Sequence, residues 1–124
     1  MENFVVGDLT ITVDRSDPLA IKLSWLGKSN SRSPSKELGP LFVALANEAT
    51  AQNRRIEMRF EHIEHFNSST ITALIQFIQG LDLSKVALRL VYDGSLKWQR
   101  LSFEALRVFE RAGGSLEIHA LEAA

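Results

Sequence analysis

The stretch RIEMRFEHIEHFNSSTITALIQFIQG, Arg55 to Gly80, changes its period halfway along. At its start, apolar and charged residues alternate: Ile56, Met58 and Phe60 fall on one side, Glu57, Arg59 and Glu61 on the other. This is the period of a strand with one buried face. Further on, Ile71, Leu74, Ile75 and Ile78 recur at helical spacing, with a helix end expected near Gly80. Between the two patterns stands FNSSTI, Phe66 to Ile71, with an amide and three hydroxyls in a row. Asn67 or Ser68 suits a helix N-cap, because a short side-chain oxygen accepts a free N–H of the first turn. One cap needs one such residue, and here there are four.

The same alternation extends in both directions. DLTITVD places Leu9, Ile11 and Val13 on one face, and AIKLSWL does so with Ile21, Leu23 and Trp25. Turn residues Ser16-Asp17-Pro18 lie between them, so these two runs read as a hairpin. GKSNSRSPS, Gly27 to Ser35, reads as a polar loop. Leu38, Leu41, Phe42 and Leu45, with Ala46 and Ala49, mark a first helix reaching about Gln52, with Pro40 in its first turn or just beyond. VALRLVY is a strand, Asp93-Gly94-Ser95 a turn, and Trp98, Leu101, Ala105 and Phe109, beside Leu106 and Val108, a third helix stopped by Gly113-Gly114. SLEIHAL makes the last strand. The order β-β-α-β-α-β-α-β predicts an α/β fold with a mixed, mostly parallel sheet. Most strands keep a polar face, so all helices are expected on one face of the sheet. There is no repeat or linker, and residues 1–124 read as a single domain.

Composition narrows the function. The chain has 124 residues, 45% hydrophobic and 23% charged, with a net charge of −1, which gives no electrostatic reason to expect nucleic acid or membrane insertion. It has no cysteine, so disulfides and thiolate metal sites are excluded. The start MENFVVGDLT lacks the basic and apolar regions of a signal peptide, and a cytoplasmic protein is expected.

From Phe66 to Leu81 there is no charged residue. Thr72, Ala73, Gln76 and Gln79 fall at the expected outer positions of the second helix, where charges are usual on a solvated face. Such a face suits a protein partner, and it equally suits a helix covered by its own neighbours. On the first reading, Ala73→Glu weakens binding and leaves stability nearly unchanged. A phosphate on Ser68, Ser69 or Thr70 would sit at the positive end of the helix and place about −1.5 to −2 charges beside that face. The serine-rich run with Ser29 and Ser31 is an expected rim of the same site, or an ordinary solvated loop. Lys97, Arg100, Arg107 and Arg111 give the third helix a basic face, read as solvated or as meeting an acidic partner.

The element order and the Asn67-Ser68-Ser69-Thr70-Ile71 stretch resemble the STAS domain of bacterial anti-anti-sigma factors. Those proteins carry Asp-Ser-Ser-Gly-Leu or a close variant there, so Asn67 replaces the aspartate and Thr70 the glycine. That resemblance implies phosphorylation of Ser69 by a serine kinase, reversal by a phosphatase, and an anti-sigma factor as effector. The chain is also similar to the SiaC-type regulatory phosphoproteins, whose junction reads Asn-Thr-Ser-Ser-Ile. Their loop has a glycine, a serine and Ser-x-Glu where this chain has Gly27, Ser29 and Ser35-Lys36-Glu37. That second resemblance implies phosphorylation at Ser68 and a diguanylate cyclase as effector. Together they imply a non-enzymatic partner switch without cofactor or metal, with Asn67, Thr70, Thr72, Ala73, Gln76, Gln79, Ser29 and Ser31 near the partner.

Two other readings use the same residues differently. A constitutive scaffold subunit would use the uncharged helix without phosphorylation. A small metal-dependent hydrolase would draw on His62 and His65, which a strand places on opposite sides unless the chain turns between them.

Overall fold

The structure, a computed structural model, describes residues 2–84, 86–110 and 116–121. The elements are β1 (Glu2–Val6), β2 (Leu9–Asp14), β3 (Ala20–Ser29), α1 (Pro34–Gln52), β4 (Arg55–Arg59), β5 (Ile63–Phe66), α2 (Ser68–Ser84), β6 (Leu88–Asp93), α3 (Lys97–Leu106) with a 3-10 turn at Arg107–Phe109, and β7 (Leu116–Leu121). One sheet runs β1-β2-β3-β4-β6-β7, with β5 also beside β3. β2 and β3 form the expected antiparallel hairpin, Ile11 opposite Trp25 and Val13 opposite Leu23. The pairings β3–β4, β4–β6 and β6–β7 are parallel.

The alternation read from the sequence becomes the core. Ile11, Leu23, Trp25, Met58 and Leu90 on the strands are buried together with Leu38, Phe42 and Leu45 of α1, Leu74 and Ile78 of α2, and Phe103 of α3. The other face carries half-exposed Thr10, Thr12, Lys22 and Ser24. It also carries an ion-pair ladder in which buried Glu57 meets Arg59 at 3.3 Å and Arg89 at 3.4 Å. The three helices therefore line one face of a mixed, mostly parallel sheet, as expected.

Two strands add to the expected order. β1 is an edge strand with Glu2, Asn3 and Val5 exposed, too short and too open to alternate visibly. β5 arises because the expected strand breaks: the chain turns at 61–62 and then rejoins β3 further along, pairing Ile63 with Gly27 and Phe66 with Ser29. A register shift between Gly27 and Lys28 permits this second pairing. Gly27 has φ +85°, and a Cβ there would lie 2.2 Å from the Asp8 carbonyl oxygen, so glycine is required on two counts.

Several boundaries also move. The expected loop Gly27–Ser35 shortens to 30–33, since Gly27–Ser29 extend β3 and Pro34 opens α1 at a position that lacks no needed N–H. Pro40 lies in the second turn of α1. α2 continues past Gly80 to Ser84, with Leu81 buried in the core. The core face of α3 differs from the expected one: Gln99, Phe103 and Leu106 are buried, whereas Leu101 and Val108 are exposed. Gln99 belongs inside because it is fully hydrogen-bonded, accepting from the Asp93 N–H at 2.8 Å and donating to the carbonyl oxygens of Phe60 and Ile63. Gly113-Gly114 and Arg111 lie outside the described residues.

Candidate functional site

The junction Phe66–Ile71 lies where β5 ends beside β3 and α2 begins. The Asn67 N–H donates to the Ser29 carbonyl at 3.0 Å, the last link between the two strands before the chain turns into the helix. Asn67 is then the cap: its Oδ1 accepts the Thr70 N–H at 2.9 Å. Its Nδ2 donates to the Ser31 carbonyl at 2.8 Å, tying the β3–α1 loop to the start of α2. An aspartate would keep the cap and lose that second bond.

Thr70 is fully buried and works with Asn67. Its hydroxyl donates to Asn67 Oδ1 at 2.8 Å and lies 2.7 Å from the hydroxyl of Ser29, which is 3% exposed. Thr70 and Ser29 thus form an internal polar clasp between β3 and α2. This corrects their expected place on the partner surface: two hydroxyls in a dry setting are retained because they satisfy each other.

Ser68 and Ser69 are the first two residues of α2, Ser68 exposed and Ser69 half-buried. Among the described residues neither hydroxyl makes a hydrogen bond. Ser68 contributes its carbonyl to the Thr72 hydroxyl at 3.1 Å. Ser69 and Thr72 line a shallow depression opposite Arg32 and Lys36 of the loop and α1. The other expected loop residue, Ser31, is half-buried and donates its hydroxyl to the Glu37 carboxylate.

Beyond the junction, α1 and α2 lie side by side with an apolar groove of about 360 Å³ between them. Phe42 and Phe77 stack across it at 4.6 Å. Val43 is 61% exposed at its edge, and Ser35 closes one end by donating to Gln76 Oε1 at 2.9 Å. Among the described residues, no charged residue lines the groove. Ala73 forms part of its floor and is 3% exposed, so the expectation that it stands on an outer face is corrected: α1 packs over it. Thr72, Gln76 and Gln79 are exposed as expected. The contribution of α1 was missed. Its only sequence signal is Val43, an apolar residue off the stripe of Leu38, Phe42 and Leu45.

His62 and His65 are both exposed, one in the turn before β5 and one on β5. Among the described residues no three His, Cys, Asp or Glu side chains gather in a way that could hold a metal ion. None of the described helices is long and apolar enough to cross a membrane.

No protein-family model matches the chain, and no curated protein matches it by sequence. Solved structures do match. One is a chain in the crystal structure of the diguanylate cyclase SiaD in complex with its activator SiaC from Pseudomonas aeruginosa. It has 19% identity and a TM-score of 0.64, and the match covers 98% of this chain and 100% of that one. SiaC of Pseudomonas aeruginosa matches at 18% identity over 99% and 100% of the two chains, TM-score 0.62. An uncharacterized protein from Shewanella loihica with a SpoIIAA-like fold matches at 12% identity over 95% and 90%, TM-score 0.54. The chain therefore has the mixed α/β fold of SiaC and of SpoIIAA-like proteins, the architecture expected from the sequence.

Proposed function

We propose that this chain is a non-enzymatic regulatory protein that docks on a protein partner through the α1–α2 groove and the start of α2, and that phosphorylation of Ser68 or Ser69 controls the docking. The observation that carries this reading is a division of labour at the junction. Asn67, Thr70 and Ser29 meet the structural needs of the helix start, which among the described residues leaves the Ser68 and Ser69 hydroxyls unengaged, near a groove with no charged lining residue. A partner kinase would transfer the terminal phosphoryl group of a nucleoside triphosphate to the serine oxygen, releasing the hydroxyl proton and the nucleoside diphosphate. A phosphatase would hydrolyse the ester. The added charge would oppose an apolar partner without unfolding the domain. The fold shared with SiaC, an activator found in complex with a diguanylate cyclase, supports such a cyclase as the effector; an anti-sigma factor is the counterpart drawn from the wider fold.

The reading is tested by replacing Ser68 and Ser69, separately, with Ala and with Asp, and measuring capture of a diguanylate cyclase or an anti-sigma factor from the same cell. One of the Asp variants should bind at least tenfold more weakly than its Ala counterpart. Four variants that bind like the wild type would leave a constitutive scaffold as the function.

A further inference from the structure

The shallow depression beside the junction contains more than a serine. Arg32, at the end of the β3–α1 loop, and Lys36, in the first turn of α1, line it opposite Ser69 and Thr72. Both cations are exposed, and among the described residues neither makes an ion pair. The nearby acid Glu37 is engaged by the Ser31 hydroxyl. Ser68 does not line this depression. One residue, Ser35, borders both the depression and the docking groove, and its hydroxyl holds Gln76 across the groove's end.

We infer that Arg32 and Lys36 form a receptor for a phosphate on Ser69, and that a phosphate received there reaches the groove through Ser35 and Gln76. The inference rests on the phosphoswitch reading and deepens it: it assigns the residues that recognise the modified state. A phosphoserine dianion offers three acceptor oxygens, and a guanidinium with an ammonium beside it supplies charge-assisted donors. Drawing Lys36 toward α2 moves the first turn of α1, which includes Ser35. A phosphate on Ser68 has no such partners and stays in solvent.

The test needs no partner protein. Phosphoserine is incorporated during translation at position 69 or at position 68 of the full chain, and the phosphate is titrated by phosphorus NMR. A free phosphoserine loses its second proton at a pH of about 6. Two neighbouring cations favour the dianion, so the phosphate at 69 should titrate about half a unit or more below the phosphate at 68. The Arg32→Ala/Lys36→Ala double variant should remove most of that difference, and the amide signals of Ser35 and Gln76 should shift on modification at 69 only. Both replaced side chains are exposed, and an unchanged amide spectrum elsewhere verifies the fold. Equal titration at the two positions, or a difference that survives the double variant, overturns the receptor. Unmoved Ser35 and Gln76 signals overturn the route to the groove. None of these results depends on whether a cell phosphorylates the site or on whether a partner releases it, so the receptor and the switch can fail separately.

Discussion

Asn67 does two jobs with one amide, and substitutions separate them. Asn67→Ala removes the cap and the tie to Ser31, and should cost about 1–2 kcal/mol in chemical denaturation. Asn67→Asp keeps an oxygen for the Thr70 N–H and loses only the donor to the Ser31 carbonyl, so it should cost about 1 kcal/mol. If the two variants are equally stable, the cap contributes nothing; if Asn67→Asp is as stable as wild type, the loop tie contributes nothing. The cap was legible in the sequence because the residue type and its place before an apolar helical pattern suffice. The burial of Thr70 was not: a hydroxyl at the third helical position looks solvent-facing until Ser29, forty-one residues earlier, is known to meet it. Ala73 fails for a related reason. Helical spacing places it opposite the core stripe, but a second helix covers it. Ala73→Glu is now expected to lower stability by roughly 3 kcal/mol through a buried, unpaired charge. The exposed Val43→Glu should leave thermal stability within about 0.5 kcal/mol of wild type and abolish docking. Partner capture together with thermal melts of both variants decides between them.

At the scale of elements, the interrupted strand is the informative case. RIEMRFEHI, Arg55 to Ile63, read as one strand because Ile56, Met58 and Phe60 alternate cleanly up to the break, whereas the buried residues after it, Ile63 and Phe66, are three apart. The turn at 61–62 carries no glycine or proline to mark it, and the bulge that accommodates it lies on the neighbouring strand, at Gly27. Gly27→Ala should therefore cost about 2 kcal/mol or more, combining a left-handed backbone angle with a collision against Asp8. A melting temperature equal to wild type would refute this account of the bulge. The third helix was mis-phased for the opposite reason. Counting apolar residues favours Leu101 and Val108, and only its hydrogen-bond partners explain why Gln99 is inside. The turn before this helix also gives a pH signature. The Asp93 carboxylate accepts from the Ser95 hydroxyl and then from its N–H, which holds it below the usual carboxylate value of 3.8. Its contribution is present above that value and is lost as pH falls through the lower folded value. Asp93→Asn should flatten the decline in stability below about pH 4, measured by denaturant titration.

For the whole molecule, the arrangement sets an apolar groove, without charged lining among the described residues, beside the end of the sheet's β3–β5 pairing. Parallel pairing of β3 with β5 delivers Asn67 beside Ser29, and the packing of α1 against α2 builds the groove next to the same junction. The order of strands and helices was enough to expect helices on one face and to place FNSSTI at a strand exit. It was not enough to foresee the groove, because the relative placement of two helices depends on side chains from both. If docking at this surface is governed by phosphate, the modification must occur in the cell. The most direct measurement is intact-mass analysis with peptide mapping of the protein purified from its native cell under several growth conditions. The account predicts a species carrying one phosphate, mapped to Ser68 or Ser69, whose abundance changes with conditions. A junction peptide that is unmodified under every condition would contradict it.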